Sequence, residues 1–153
     1  ADNPTISVEE YDNKGNSNTS EENDDYIADN PTISISEYFD RGYVKYISED
    51  YYGAAAEYTK VIELRPNDAL AYYYRGLAKR FFDDGYGTIA DFTKAIELGT
   101  LGQELTGSAY FEIARAKITE FEDRKSACED FEKAANLGHR VAANWVREYP
   151  ACN

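Results

Sequence analysis

The chain has 153 residues and a formal net charge of −13, with 14 Tyr, one Trp and no Met. That length suits one domain with its own core plus a tail. The charge speaks against nucleic acid as a partner, since no basic stripe is present to displace counterions from phosphates. No apolar run reaches the length of about 18 residues that a membrane-spanning helix needs, and two Cys with one His fall short of the roughly four ligands of a structural zinc site. The surplus of Tyr points to half-buried contact faces, because the phenol ring is apolar at one end and polar at the other.

Residues 1–34 carry −8 of the net charge, leaving −5 for residues 35–153. So polar and acidic a stretch is expected to build no core of its own and to act as an arm. It opens ADNPTIS, and the same seven letters return at residues 28–34. The second copy leads through Pro31, whose ring favours an extended approach, into Ser34-Ile35-Ser36-Glu37, a capping box that starts a helix. The first copy has the same device in Ser7-Val8-Glu9-Glu10, but after one turn it meets Asp12-Asn13-Lys14-Gly15. A helix that short is unstable alone, because nucleation is unfavourable. The arm is therefore expected to need another surface, with Ile6, Val8 and Tyr11 as its apolar contacts. Glu10 to Glu21 has the span of a calcium loop with Gly15 at its sharp turn, yet Lys14 stands where an oxygen ligand is required, which favours a solvated linker. Asn18-Thr19-Ser20 is a glycosylation sequon; Asn3 and Asn30 are excluded by the Pro that follows each.

From residue 35 onward two kinds of segment alternate three times. YYGAAAEYTKVIEL at 51–64 and GYGTIADFTKAIEL at 85–98 are identical at eight of fourteen positions, 34 residues apart, and RKSACEDFEKAANL at 124–137 is a weaker third copy. Each follows a second matching segment, EYFDRGYVKYI from 37, AYYYRGLAKRF from 71 and AYFEIARAKIT from 109. Both kinds have helical periodicity, as in the stripe Ala54, Tyr58, Val61 and Ile62. Gly42 and Gly76 inside the first kind each carry a helix-propensity cost of about 1 kcal/mol, which is understandable where a neighbouring helix must come close.

This arrangement resembles the tetratricopeptide-repeat (TPR) family, whose unit is a helical hairpin. The resemblance rests on Tyr38, Arg41-Gly42, Ala54, Tyr58, Val61 and Pro66; on Tyr72, Arg75-Gly76, Thr88, Phe92 and Ala95; and on Tyr110, Ile113-Ala114, Ala127, Phe131 and Ala134. It implies an all-α, right-handed solenoid of three hairpins, at about 35–68, 69–100 and 108–138, closed by a capping helix at 139–149 and a tail at 150–153. The departures are Arg41 and Arg75 where the family has Leu, Thr88 for Ala, Thr100 for the closing Pro, and a long link at 99–107. In the last segment Val141, Ala142, Trp145, Val146 and Tyr149 share a face, as the end of a solenoid requires, and LGHRVAA also resembles Sel1-like repeats.

The resemblance further implies a concave surface built by the first helix of each hairpin. Here that surface would present Phe39, Tyr43 and Tyr46, then Tyr73, Leu77 and Arg80, then Phe111, Arg115 and Ile118, aromatic residues and arginines of the kind enriched at binding hot spots. The family's carboxylate clamp for chaperone tails is not reproduced at these positions. His139 reads as a polar turn residue, and no nucleophile, phosphate loop or cofactor motif accompanies it, so neither catalysis nor a cofactor is expected. Cys128 and Cys152 stand where the last two helices could bring them together; a disulfide, which would favour an exported protein, and two unpaired thiols both remain open. The functional expectation is a non-enzymatic interaction module with a protein partner. That partner is either the arm of a neighbouring copy, giving head-to-tail assembly into a ring or an exported filament, or a foreign peptide held by an adaptor.

Overall fold

The computed structural model of the chain describes residues 33–149, which form seven α-helices in succession: α1 Ile35–Ile47, α2 Tyr51–Leu64, α3 Ala69–Lys79, α4 Gly85–Glu97, α5 Gly102–Phe121, α6 Arg124–Asn136 and α7 Arg140–Glu148. A 3-10 turn, Arg80–Phe82, extends α3. Each helix packs on the one before and the one after it in the chain. Three hairpins result, each with a first helix (α1, α3, α5) and a second (α2, α4, α6), and α7 follows as an unpaired first helix.

Every helix start except that of α5, which follows Leu101, is set by a polar side chain. Ser34 Oγ accepts from the Glu37 N–H at 3.1 Å, and Asp50, Asp68, Asp84 and Asp123 do the same for Gly53, Ala71, Gly87 and Ser126 at 2.9 to 3.1 Å. His139 caps α7 through Nδ1, which accepts from the Ala142 N–H at 3.2 Å. Within each hairpin, the residue just before the capping Asp takes a left-handed conformation: Glu49 (φ 64°), Asp83 (φ 55°) and Glu122 (φ 53°). One turn design is thus used three times.

Inside each hairpin a small residue of the first helix faces an aromatic residue of the second. A Cβ on Gly42 would lie 2.8 Å from the Tyr58 ring, and one on Gly76 would lie 3.2 Å from the Phe92 ring; in the third hairpin Ala114 and Phe131 share a buried cluster. These close approaches account for glycine inside a helix.

Beside them runs a line of ion pairs. Arg41 and Lys45 meet Glu57 at 4.0 and 2.8 Å, Arg75 and Lys79 meet Asp91 at 2.6 and 3.0 Å, and Lys117 and Lys133 meet Asp130 at 2.5 and 2.9 Å. Arg41 and Arg75, which depart from the apolar family pattern, therefore have partners, the acids that precede Tyr58 and Phe92. Burial opposes the charge of Arg75, but hydrogen bonding and Coulomb attraction to Asp91 outweigh it and raise the Arg75 pKa.

The stretch 99–107, expected to link two hairpins, is helical from Gly102. Gly99 and Gly102 both have φ +72°, Leu101 between them is buried, and Thr106 Oγ1 donates to the Gly102 carbonyl at 2.6 Å. The turn is thereby completed in a few residues, and α5 extends to 20 residues against 13 in α1. At the end of the array, Ala142 is buried and Trp145 stacks on Phe131 with ring centroids 4.1 Å apart. Val141 and Tyr149, grouped with the packed face by the sequence, are more than half exposed.

Candidate functional site

The first helices α1, α3 and α5, with the 3-10 turn after α3 for Arg80, carry the nine side chains expected to line the concave surface, and they fall into two groups. Five lie against the core. Phe39 is half-buried, edge-on to Tyr58 and Tyr74 with centroids 5.3 Å from each. Tyr73 is buried, edge-on to Phe92 at 5.4 Å, and hydrogen-bonds Ser108. Burial, the largest influence, raises its phenol above the ordinary value, against the effect of Ser108. Leu77 and Ile118 pack on the clusters around Phe92 and Phe131. Phe111 lies edge-on to Phe131 and stacks on His139 at 4.3 Å.

The other four face outward to a greater degree and form an aromatic and a charged part. Tyr43 is 50% exposed. Tyr46 is half-buried, edge-on to Tyr51 at 5.6 Å and to Phe81 at 6.1 Å, while Tyr51 and Phe81 stack at 3.9 Å. The Tyr46 phenol is raised chiefly by burial, partly offset by the Arg80 charge and reinforced by Tyr51 and Glu112. Arg80 and Arg115 converge on one carboxylate: Arg80 Nη1 donates to Glu112 Oε1 at 2.6 Å, and Arg115 Nη1 donates to Glu112 Oε2 at 3.1 Å. Arg115 also lies 5.9 Å from the Phe111 ring centre, and Arg80 lies 4.7 Å from that of Phe81. The surface is thus an aromatic strip followed by an arginine pair whose charge is half neutralised from within the fold.

Glu112, Tyr51 and Phe81 belong to this surface and were not singled out from the sequence. Glu112 stands three residues before Arg115, the spacing of a pair on one helix face, and was legible on that ground. The proposed arm contacts Ile6, Val8 and Tyr11, the sequon at Asn18, and Cys152 lie outside the described residues. Cys128 is half-buried on α6. Among the described residues no group of His, Cys, Asp and Glu is arranged to hold a metal ion, and no helix is long and apolar enough to cross a membrane.

No family model and no curated protein matches the chain. Among solved structures it is similar to the N-terminal domain of stress-induced protein-1 (STI-1) from C. elegans, with 20% identity and a TM-score of 0.67, over 74% of this chain and 92% of that one. The likeness is one of fold. Together with the repeated small-aromatic contact in three successive hairpins, it makes this a tetratricopeptide-repeat fold, all-α and built from stacked hairpins.

Proposed function

We propose that the chain is a protein-binding TPR module whose concave surface takes an extended segment, and that the segment is the N-terminal arm of a neighbouring copy. The observation that carries this reading is the arm's own sequence. Residues 1–15, ADNPTISVEEYDNKG, match residues 28–42, ADNPTISISEYFDRG, at ten of fifteen positions. Those positions have definite work in the folded domain: Ser34 caps α1, Ile35 is buried, Tyr38 packs beside it, and Gly42 lies against Tyr58. The arm therefore repeats residues that already pack against TPR helices once in this chain. Ile6, Val8 and Tyr11 supply apolar contacts for the strip of Tyr43, Tyr46 and Phe81, and Arg115 meets the arm's acids at the strip's end.

Such a contact is head-to-tail and runs on as a ring or filament. An exported setting, a Cys128–Cys152 disulfide and a glycan at Asn18 accord with it. Deleting residues 1–27 and measuring particle size by light scattering is the test. Loss of assembly is expected; unchanged assembly would sink the reading.

A second reading is an adaptor for a foreign peptide. The sign of the charge favours it: arm and domain are both acidic, −8 and −5, and Glu112 already holds Arg80 and Arg115. In that case the chain lacking its arm stays monomeric, as the full chain does, and still captures aromatic, weakly charged peptides.

A further inference from the structure

A solenoid needs polar outer faces at its two ends, or those faces invite stacking. Every first helix after α1 turns a small residue onto the hairpin before it, and α3 turns two, with a larger one between. Ala71 and Ala78 of α3 lie in clusters with Val61 and Tyr58 of α2, and Tyr74 packs between them on Phe39. Ala109 of α5 and Ala142 of α7 sit in the same way against Phe92 and Phe131. Counted from the helix caps, the equivalent positions of α1 are Glu37, Asp40 and Val44, and all three are exposed. Tyr43 and Ile47 flank them, so that α1 leaves Tyr43, Val44 and Ile47 exposed by 50, 56 and 61%. The bases of α1 offset this face only in part: Arg41 is shared between Glu37 at 3.8 Å and Glu57 of α2 at 4.0 Å, and Lys45 turns to Glu57 at 2.8 Å, which leaves Asp40 as the unpaired acid of the face among the described residues.

The opposite end has the complementary chemistry. Among the described residues no second helix stands behind α7, and the positions equivalent to Ile35, Tyr38 and Gly42, which are Arg140, Ala143 and Arg147, are exposed. Val141 beside them is 58% exposed. Neither Arg140 nor Asp40 has an ion-pair partner among the described residues, and Arg147 only donates a hydrogen bond to Asn144 on its own helix. The acid of α7, Glu148, follows Arg147 by about 100° around the helix and lies to the side of the arginines. Glu37 to Val44 and Arg140 to Arg147 both span two helical turns, about 10 Å.

We infer that the α7 end of one copy stacks on the α1 end of the next, with Arg140 and Arg147 against Glu37 and Asp40, and Val141 against Val44 and Ile47. The occupant of each end face is a second copy of this chain. The contact rests on the self-association reading above but uses Glu37, Asp40, Val44 and Ile47, which lie beside the concave strip and are not part of it, with Tyr43 at the border between the two. A single helix-on-helix contact is small for a stable interface, so it is expected to be weak, steered by charge and suppressed by salt.

The test is sedimentation of the full chain at low and high salt, alongside two charge-reversed variants, Glu37→Lys/Asp40→Lys and Arg140→Glu/Arg147→Glu. The parent is expected to associate at low salt and each variant to associate at least about tenfold more weakly, with unchanged helicity by circular dichroism. An equimolar mixture of the two variants, in which both kinds of end again carry opposite charges, is expected to recover association. A parent that stays monomeric at low salt, variants that associate like the parent, or a mixture that does not recover overturns the proposal. Should either double variant lose helicity, Asp40→Lys and Arg140→Glu alone, each midway along or at the edge of its helix, carry the same comparison. Association lost on deleting residues 1–27 but untouched by charge reversal leaves the arm reading standing and this one fallen; the converse result does the opposite.

Discussion

Asp91 accepts two hydrogen bonds from one guanidinium, from Arg75 Nε at 2.8 Å and from Nη2 at 2.6 Å, and Lys79 Nζ lies 3.0 Å from the same carboxylate. The Asp91 side chain is 5% exposed, whereas in the first hairpin Glu57 faces Arg41 and Lys45, which are 41% and 38% exposed. Removing the charge of Asp91 strands Arg75 in a partly buried place and leaves Lys79 only Asp84 at 3.8 Å, and breaking such a buried pair typically costs about 3–5 kcal/mol. Removing that of Glu57 leaves cations that water can reach, at about 1 kcal/mol or less. Asp91→Asn is therefore expected to lower the urea midpoint far more than Glu57→Gln. Equal losses would mean that the buried pair is as well screened as the exposed one.

Tyr58 is fully buried, and its hydroxyl has no hydrogen-bond partner among the described residues. Burial, with smaller contributions from Tyr74, Tyr46 and Tyr43, raises its phenol pKa. A raised acid keeps its proton in the fold after the unfolded chain has begun to lose its own, near the ordinary tyrosine value of about 10. The stability it contributes is thus present in full below that value and lost as pH rises towards the folded one. Tyr58→Phe is expected to raise stability at neutral pH by about 1 kcal/mol, by removing an unsatisfied hydroxyl, and to make the alkaline fall in stability shallower. Denaturation at neutral pH and at about pH 11 checks both; a less stable Phe variant at neutral pH would show that the hydroxyl is satisfied.

The contact beneath Gly42 is tighter than that beneath Gly76, 2.8 Å against 3.2 Å to the facing ring, and both rings are fully buried. Alanine gains about 1 kcal/mol of helix propensity at either position, but overpacking a closed core typically costs about 1–3 kcal/mol. Gly42→Ala is expected to lose more stability than Gly76→Ala, whose two effects nearly cancel. Thermal melts of the two variants give the order, and a reversed order would place the rigid contact in the second hairpin.

The parts of this fold that were legible in sequence are those in which one contact is written into each repeat. Gly42 with Tyr58 and Gly76 with Phe92 recur at one spacing and Ala114 with Phe131 at a spacing one residue longer, so the hairpins and their pairing could be read directly. Arg41 and Arg75 looked like departures because the acids that answer them lie sixteen residues on, across the hairpin turn. The Glu112–Arg115 pair lies within one helix and was legible, but the other partner of Glu112 was not, for a stronger form of the same reason: Arg80 is 32 residues away, on another hairpin. The aromatic strip was half seen. The repeated segment read as helix runs on to Phe81, whereas α3 stops at Lys79, and the 3-10 turn after it is what brings Phe81 onto Tyr51. Contacts within a repeat leave a period in the sequence; contacts between repeats leave none.

The three hairpin turns place Glu49, Asp83 and Glu122 in the left-handed region just before the capping Asp. For a side chain with a Cβ that conformation is unfavourable by roughly 1–2 kcal/mol, and aspartate tolerates it better than glutamate through local hydrogen bonding. Glycine removes the strain but adds freedom to the unfolded chain, which takes back about 0.5–1 kcal/mol. All three side chains are exposed, so no buried contact is lost. Glu49→Gly and Glu122→Gly are therefore expected to stabilise the domain by up to about 1 kcal/mol, and Asp83→Gly to leave it nearly unchanged. Urea titrations of the three variants provide the comparison. If both glutamate variants are destabilised, the turns are held by contacts of those side chains, and relief of backbone strain is not what governs them.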